Sequence, residues 1–422
     1  MKNRFYTIYL FLSFCFLYPL IGTAQVGTNH GFSQERLQRI DTVITEYIDS
    51  NWIKGAAALI HKDDQEVYYK AFGIDVDNPQ TALKKDAIFR IASQTKAITT
   101  VAVMMLFEEG KFLLDDPISK YIPAFKNPQV LETFNEKDST YTTKPANREI
   151  SIRDLITHTS GIDYAQIGSP QMKAIYEKAG IVAGFSPNKI NLGEMIDKLG
   201  QLPLVHQPGE KFTYSLGIDV LGRLVEVVSG QNLAQFFKLR IFDPLEMEDS
   251  YFELPKEKQS RLVQVYTEDE KTKKLKLWQE DSSPGMTIDY PINGNGLYAG
   301  GAGLVSTLKD YCKFLQMILN KGSYKGKQLL ARHTVDMMSQ NQIGALSLGE
   351  DKFGLGFQIT TKDGSRKLGV SEGSLAWGGF FGTVYWADPK EQIIGLIFLQ
   401  QSPLSHGELG DKFKVLVYQA LL

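Results

Sequence analysis

Ser93 and Lys96 are the pair whose types and spacing could do chemistry. They lie in Phe89-Arg90-Ile91-Ala92-Ser93-Gln94-Thr95-Lys96, a strand-like approach that meets a serine and runs on as an apolar helix through Met104-Met105-Leu106. Glu109-Gly110 ends that helix, because Gly110 can take the left-handed conformation that stops helices. Ser93 is therefore predicted at the mouth of a buried helix, where free N–H groups and the helix dipole favour negative charge. Lys96, three residues on, lies over the same helix face. A hydroxyl, an amine within reach and outward N–H groups are what an acyl-transfer nucleophile requires.

Spacing alone does not single this pair out. Ser-x-x-Lys recurs at Ser186/Lys189, where Pro187 follows in a polar loop, and at Ser306/Lys309. There Thr307 and Asp310 have the spacing of a helix cap. Only at Ser93 is the lysine carried by a helix apolar enough for a core. The structural alternative at Ser93 is an N-cap serine followed by a solvated lysine.

Other machinery is absent from the sequence. The 6 histidines are scattered singly, and none sits in a serine–histidine pair. There is no Gly-x-Ser-x-Gly elbow, no His-Glu-x-x-His and no His/Cys metal spacing, so neither a metal nor a cofactor is expected. Gly300-Gly301-Ala302-Gly303 lacks the Gly-Lys-Ser/Thr ending of a phosphate loop and reads as backbone lining a cleft. A serine without histidine needs another base: a desolvated lysine, or a tyrosine held as phenolate by nearby cations. Tyr214, at a loop-to-helix junction behind Pro208-Gly209, is the candidate, with a half-buried structural aromatic as its plain alternative. His158 closes a short helix, where a histidine ordinarily bonds a carbonyl.

The elements that must position these residues follow from periodicity and turn signals. Residues 34–49 form an amphipathic helix capped by Ser33, and 56–61 with 66–72 read as a β-hairpin. Leu113-Leu114-Asp115-Asp116-Pro117 is a turn whose aspartates cap rather than catalyse. Ser151 and Asp154 have capping-box spacing, and Asn191 and Glu194 start another helix. A helix carrying Leu216, Val220, Leu221, Leu224 and Val225 stops at Ser229-Gly230. Residues 268–276 are a mixed-sign charge run, read as a solvated hairpin tip. Residues 357–361, 379–387 and 392–400 read as strands, and 406–421 as a final helix. Strands at both ends and helices between imply an α/β fold: an antiparallel sheet built from both chain ends (roughly 30–92 and 296–422) with an inserted helical part (roughly 93–295).

The set resembles the serine β-lactamase and penicillin-binding-protein superfamily, in particular the class C β-lactamase-like branch that includes family VIII carboxylesterases. The matching segments are 89–96, the 113–117 turn, Ile152-Arg153-Asp154-Leu155-Ile156-Thr157-His158-Thr159-Ser160-Gly161, 208–215, 300–306 and 377–390, in family order over nearly all of residues 25–422. The resemblance implies Ser93 as nucleophile, Lys96 as its activating partner and Tyr214 as the base that shuttles the proton. It places the oxyanion hole at the N–H groups of Ser93 and Phe380. It matches the edge-strand third motif to Trp377-Gly378-Gly379, and puts Leu216 in the substrate site where lactamases carry Asn. Trp377, in place of a cationic or hydroxylic residue, looks like the carboxylesterase members.

Composition is consistent with an exported enzyme. The chain has 422 residues, is 43% hydrophobic and 22% charged, and has net charge −2. That gives no basic face for nucleic acid. Lys2 and Arg4 precede an apolar run over 5–21 and Gly22-Thr23-Ala24, which reads as a signal peptide cut after Ala24. The run is short for a membrane span of about 20 residues, so an uncleaved anchor is the lesser reading. Cys15 falls within that run, leaving Cys312 alone in the mature chain and no disulfide. The expectation is a periplasmic or secreted serine hydrolase for small esters or amides. A β-lactamase or D-amino-acid-specific peptidase is the rival enzyme, and a non-catalytic scaffold the rival of another class.

Overall fold

The computed structural model describes residues 28–422, apart from 75–81, 188, 270, 280, 281, 283, 284 and 295. The apolar N-terminal run and Cys15 lie outside the described residues. Helix α1 (Gln34–Asp49) is capped by the Ser33 side chain, which accepts from the Arg36 N–H, and buries Leu37, Ile40, Ile44 and Tyr47. Strands β1 (Gly55–Lys62) and β2 (Gln65–Gly73) form the expected hairpin. Helix α2 (Thr95–Glu108) is buried from Thr95 to Leu106 on every side, its threonines and Lys96 included, and Gly110 ends it with φ +70°.

The middle of the chain is helical. Helix α3 (Ile152–Ile156) carries a complete Ser151/Asp154 capping box, and α4 (Gly217–Ser229) stops at Gly230 in the left-handed conformation. Asp116 accepts from the Leu113 N–H and Asp115 pairs with Arg153, so both aspartates of that turn are structural. Helix α5 (Leu308–Leu319) is capped by Thr307, whose side chain accepts from the Asp310 N–H.

The sheet is completed from the C-terminal third. Strands β3 (Lys352–Phe353), β4 (Gln358–Ile359), β5 (Leu375–Gly379), β6 (Thr383–Asp388) and β7 (Ile393–Phe398) join the hairpin in the order β3-β4-β5-β6-β7-β1-β2. Every neighbouring pair is antiparallel. Alternation divides the strands between two cores. Ala56, Ala58 and Ile60 face α1 and α6 (Leu409–Gln419), while Ala57 and Leu59 face the large core that contains α2 and α5. Gly395 is required beside Trp386, since a Cβ there would come within 2.1 Å of the indole.

Three readings of the sequence are corrected. Residues 379–387 are not one strand: Phe380, Phe381 and Gly382 turn the chain between β5 and β6, with the Gly382 N–H bonded to Gly379 O at 3.0 Å. Strand β5 is interior rather than an edge. However, β4 pairs with it only at Leu375 and Ala376, leaving Trp377-Gly378-Gly379 open on that side. Glu268 is not at a solvated tip. It is buried and accepts from Gln401 Nε2 at 3.1 Å and from the Ser405 N–H at 2.7 Å.

Candidate active site

The nucleophile turn begins where Phe89–Arg90 pairs with Val305–Ser306. The Gln400 amide clamps this short strand by accepting from the Arg90 N–H at 3.0 Å and donating to Arg90 O at 3.1 Å. Ala92 then takes φ +47°, a conformation unfavourable for a residue with a Cβ and frequent at functional turns. Ser93 sits in the single 3-10 turn Ala92–Gln94, and α2 starts only at Thr95. The serine is thus presented just ahead of the helix rather than at its first residue.

Lys96 and Tyr214 both reach it. Tyr214 Oη lies 2.6 Å from Ser93 Oγ, and Lys96 Nζ lies 3.4 Å from the same atom. Lys96 Nζ also donates to Gly301 O at 2.7 Å and to Tyr164 Oη at 3.4 Å. The glycine loop therefore does line the site: it backs the lysine with a carbonyl, and Thr99 Oγ1 donates to Gly300 O at 2.7 Å. The other two Ser-x-x-Lys serines differ. Ser306 is buried against Ser250 Oγ at 2.8 Å, and Ser186 is buried as well.

Burial by itself pushes the Lys96 pKa down. The phenol oxygens of Tyr164 and Tyr214 and the Asp219 carboxylate outweigh burial and hold it above the ordinary lysine value. Lys96 is accordingly a fixed positive charge at neutral pH. Asp219, buried on α4, accepts from the Gly301 N–H at 3.0 Å. Burial raises its pKa, with Lys96 and that N–H pulling the other way. Both Tyr164 and Asp219 escaped the reading of the sequence. Asp219 leaves a signal, a lone carboxylate among Ile218, Val220 and Leu221; Tyr164 leaves only its place just past the matched 152–161 segment.

The Tyr214 ring is held on several sides. Tyr164 stacks on it at 5.4 Å and 13°, Trp377 lies 5.4 Å away, and His158 lies 4.8 Å away. His158 Nδ1 is 3.2 Å from Ser215 Oγ, and its backbone carbonyl accepts from the Thr213 N–H at 2.7 Å. Burial, then the nearby Lys96 charge, push its pKa well below the usual value. His158 is a neutral prop for Tyr214 and not a partner of Ser93.

The third motif meets the nucleophile turn. A Cβ on Gly379 would come within 2.5 Å of Ile91 O, so only glycine lets β5 approach the residues before Ser93 this closely. Phe380 follows this contact by one residue. Trp377 is half-buried between Tyr214 and Phe353, and no cation occupies its position. Leu216 is a correction. It is 0% exposed within the large core, because an apolar side chain at the start of α4 turns inward, and so it does not face a substrate.

Residues 40–419 match the family model "Beta-lactamase". The lovastatin esterase of Penicillium rubens is 30% identical over 408 residues, covering 89% of this chain and 96% of that protein. Esterase EstB of Burkholderia gladioli is 27% identical over 359 residues, covering 83% of this chain and 86% of EstB. Among solved structures, EstCE1, described as a hydrolase with promiscuous acyltransferase activity, superposes with a TM-score of 0.78 at 24% identity. It covers 91% of this chain and 99% of that one, which shows a shared fold. No helix among the described residues is long and apolar enough to cross a membrane.

Proposed function

This chain belongs to the β-lactamase family and is a serine hydrolase, and from that premise we propose that it is an exported carboxylesterase that forms an acyl-enzyme on Ser93. The observation that carries the reading is the convergence of Tyr214 Oη at 2.6 Å and Lys96 Nζ at 3.4 Å on Ser93 Oγ. Ser93 Oγ attacks the ester carbonyl, and Tyr214 Oη relays the serine proton to the leaving alcohol. The N–H groups of Ser93 and Phe380 receive the oxyanion. Water then enters by the same route in reverse and releases the acid. Lys96 keeps its proton, so its part is electrostatic: it anchors the site to Gly301 O and sets a positive charge 4.6 Å from the Tyr214 ring centroid. Export rests on the N-terminal signal-peptide reading, and the esterase names of the 30% and 27% identical relatives support the substrate class.

Trp377 favours an ester over a lactam. An anionic lactam or D-amino-acid peptide needs a donor for its carboxylate beside the scissile bond, and a charge-assisted contact contributes about 1.5–3 kcal/mol, roughly 10- to 100-fold. Trp377 offers an apolar face instead, against which an unpaired carboxylate is penalised further. The expected outcome is a kcat/KM for a short p-nitrophenyl ester at least ~100-fold above that for a penicillin or cephalosporin. Comparable values in one buffer would replace the esterase by the lactamase.

A further inference from the structure

Ser93 stands between two aromatic groups of different character. On one side are Tyr214, assigned to the leaving group because it delivers that group's proton, and Trp377, which packs on the Tyr214 ring at 5.4 Å. On the other side Ala92, the residue before the nucleophile, belongs to a small apolar cluster separate from the two main cores. Phe185, Tyr290 and Phe381 are buried in it, and Phe380 and Ile288 pack onto it half-buried, so these two carry its accessible surface. The rings are in contact: Phe185 lies 5.7 Å from Phe380 and 5.3 Å from Tyr290, and Phe380 meets Phe381 edge-on at 5.2 Å.

The segment that supplies Ile288 is pinned from two directions. Arg90, two residues before Ala92, donates from Nε to Ile288 O at 2.6 Å and from Nη1 to Val263 O at 2.7 Å. The Thr287 N–H donates to Phe185 O at 2.6 Å. Arg90 is only 2% exposed and has no ion-pair partner among the described residues. Burial pushes its pKa down to about 10, which still leaves it charged at neutral pH. Burying a cation is unfavourable even with the Asp289 carboxylate near enough to offset part of the penalty, so a strong positional demand is the economical reason for it. The demand that geometry shows is to hold Ile288 against the turn that presents Ser93.

The scissile carbonyl has three directions to satisfy. Its oxygen goes to the Ser93 and Phe380 N–H groups, and its leaving oxygen to Tyr214. The acyl group is left with the Phe380 and Ile288 surface. Resting on the esterase reading above, we propose that Phe380 and Ile288, backed by Phe185 and Tyr290, form an acyl-side site for bulky apolar acids, aryl above all, and that Arg90 is the positioning residue that holds it. Edge and face contacts with these rings, and cover from water, reward an aryl acyl group and give an acetyl group almost nothing.

The experiment compares kcat/KM for p-nitrophenyl phenylacetate and p-nitrophenyl acetate, each divided by its rate of hydroxide hydrolysis. The expected phenylacetate-to-acetate ratio is ~10 or more for the native protein. Ile288→Ala should lower that ratio by ~10-fold, and Phe185→Leu, which keeps the cluster apolar and tests the backing without emptying it, should lower it by a smaller factor. Arg90→Lys, which retains charge but cannot span both carbonyls, should lower the ratio mainly through KM for phenylacetate. A native ratio near 1, or a ratio unmoved by both Ile288→Ala and Phe185→Leu, overturns the acyl-site assignment while leaving the esterase intact. Turnover of neither ester overturns the esterase reading itself, and this inference with it.

Discussion

Replacing Tyr214 by Phe removes one oxygen and leaves the ring where it is. The ring is held by Tyr164 at 5.4 Å, Trp377 at 5.4 Å and His158 at 4.8 Å through ring contacts that do not use the hydroxyl, whereas the Lys96 ammonium, 4.6 Å from the ring centroid, also interacts with that oxygen. What is lost is the 2.6 Å contact with Ser93 Oγ. As a hydrogen bond in the resting protein, that contact contributes about 0.5–1.5 kcal/mol to stability, a few degrees of melting temperature at most. As a proton relay it contributes ~10²–10⁴ in rate. At about 1.36 kcal/mol per tenfold, that is ~2.7–5.4 kcal/mol of transition-state stabilisation. The two ranges do not overlap, so one variant separates structure from chemistry. The expected result is a melting curve close to native, an unchanged KM for p-nitrophenyl butyrate, and kcat down by ~10²-fold or more. A folded Tyr214→Phe protein with near-native kcat would refute the assignment and require Lys96 to act as base.

Two further outcomes follow from the same electrostatics. Asp219→Asn keeps an oxygen for the Gly301 N–H but removes a buried carboxylate that helps hold Lys96 protonated. The basic limb of the kcat/KM pH profile should therefore move to lower pH, and an unmoved limb would show that the carboxylate does not bear on Lys96. His158 is neutral when folded, whereas an unfolded histidine takes up a proton below about pH 6.5. Its contribution to stability is thus present above that pH and lost as pH falls, so between about pH 7 and pH 5.5 His158→Gln should lose ~1 kcal/mol less than the native protein in urea melts. Equal acid slopes would contradict the depressed pKa.

Where local chemistry decides the outcome, the sequence was readable. The caps at Ser33, Ser151, Asn191 and Thr307 all formed, because each places a side-chain acceptor two or three residues ahead of an orphan N–H. The lysine-bearing helix was legible from its apolar run through Val101-Ala102-Val103-Met104-Met105-Leu106. What escaped was long-range. Residues 379–387 form an apolar, β-prone run, and only the pairing of β5 with β6 shows that Phe380, Phe381 and Gly382 turn the chain. Glu268 is charged and lies in a charged run, yet its partners Gln401 and Ser405 are more than a hundred residues away. Tyr164 is one of 19 tyrosines and nothing nearby distinguishes it; its place on Lys96 exists only once α2 and the 161–164 segment pack together. Leu216 shows the opposite error, a position carried over from a motif whose side chain here turns into the core.

The claim on which the rest depends is that Ser93 is acylated. Incubating the purified protein with a fluorophosphonate probe, then digesting it and sequencing the modified peptide by mass spectrometry, tests this most directly. One adduct per chain on Ser93, absent from Ser93→Ala and prevented by an excess of ester substrate, is the predicted result. An adduct on Ser186 or Ser306, or an unlabelled protein that still hydrolyses esters, would contradict it.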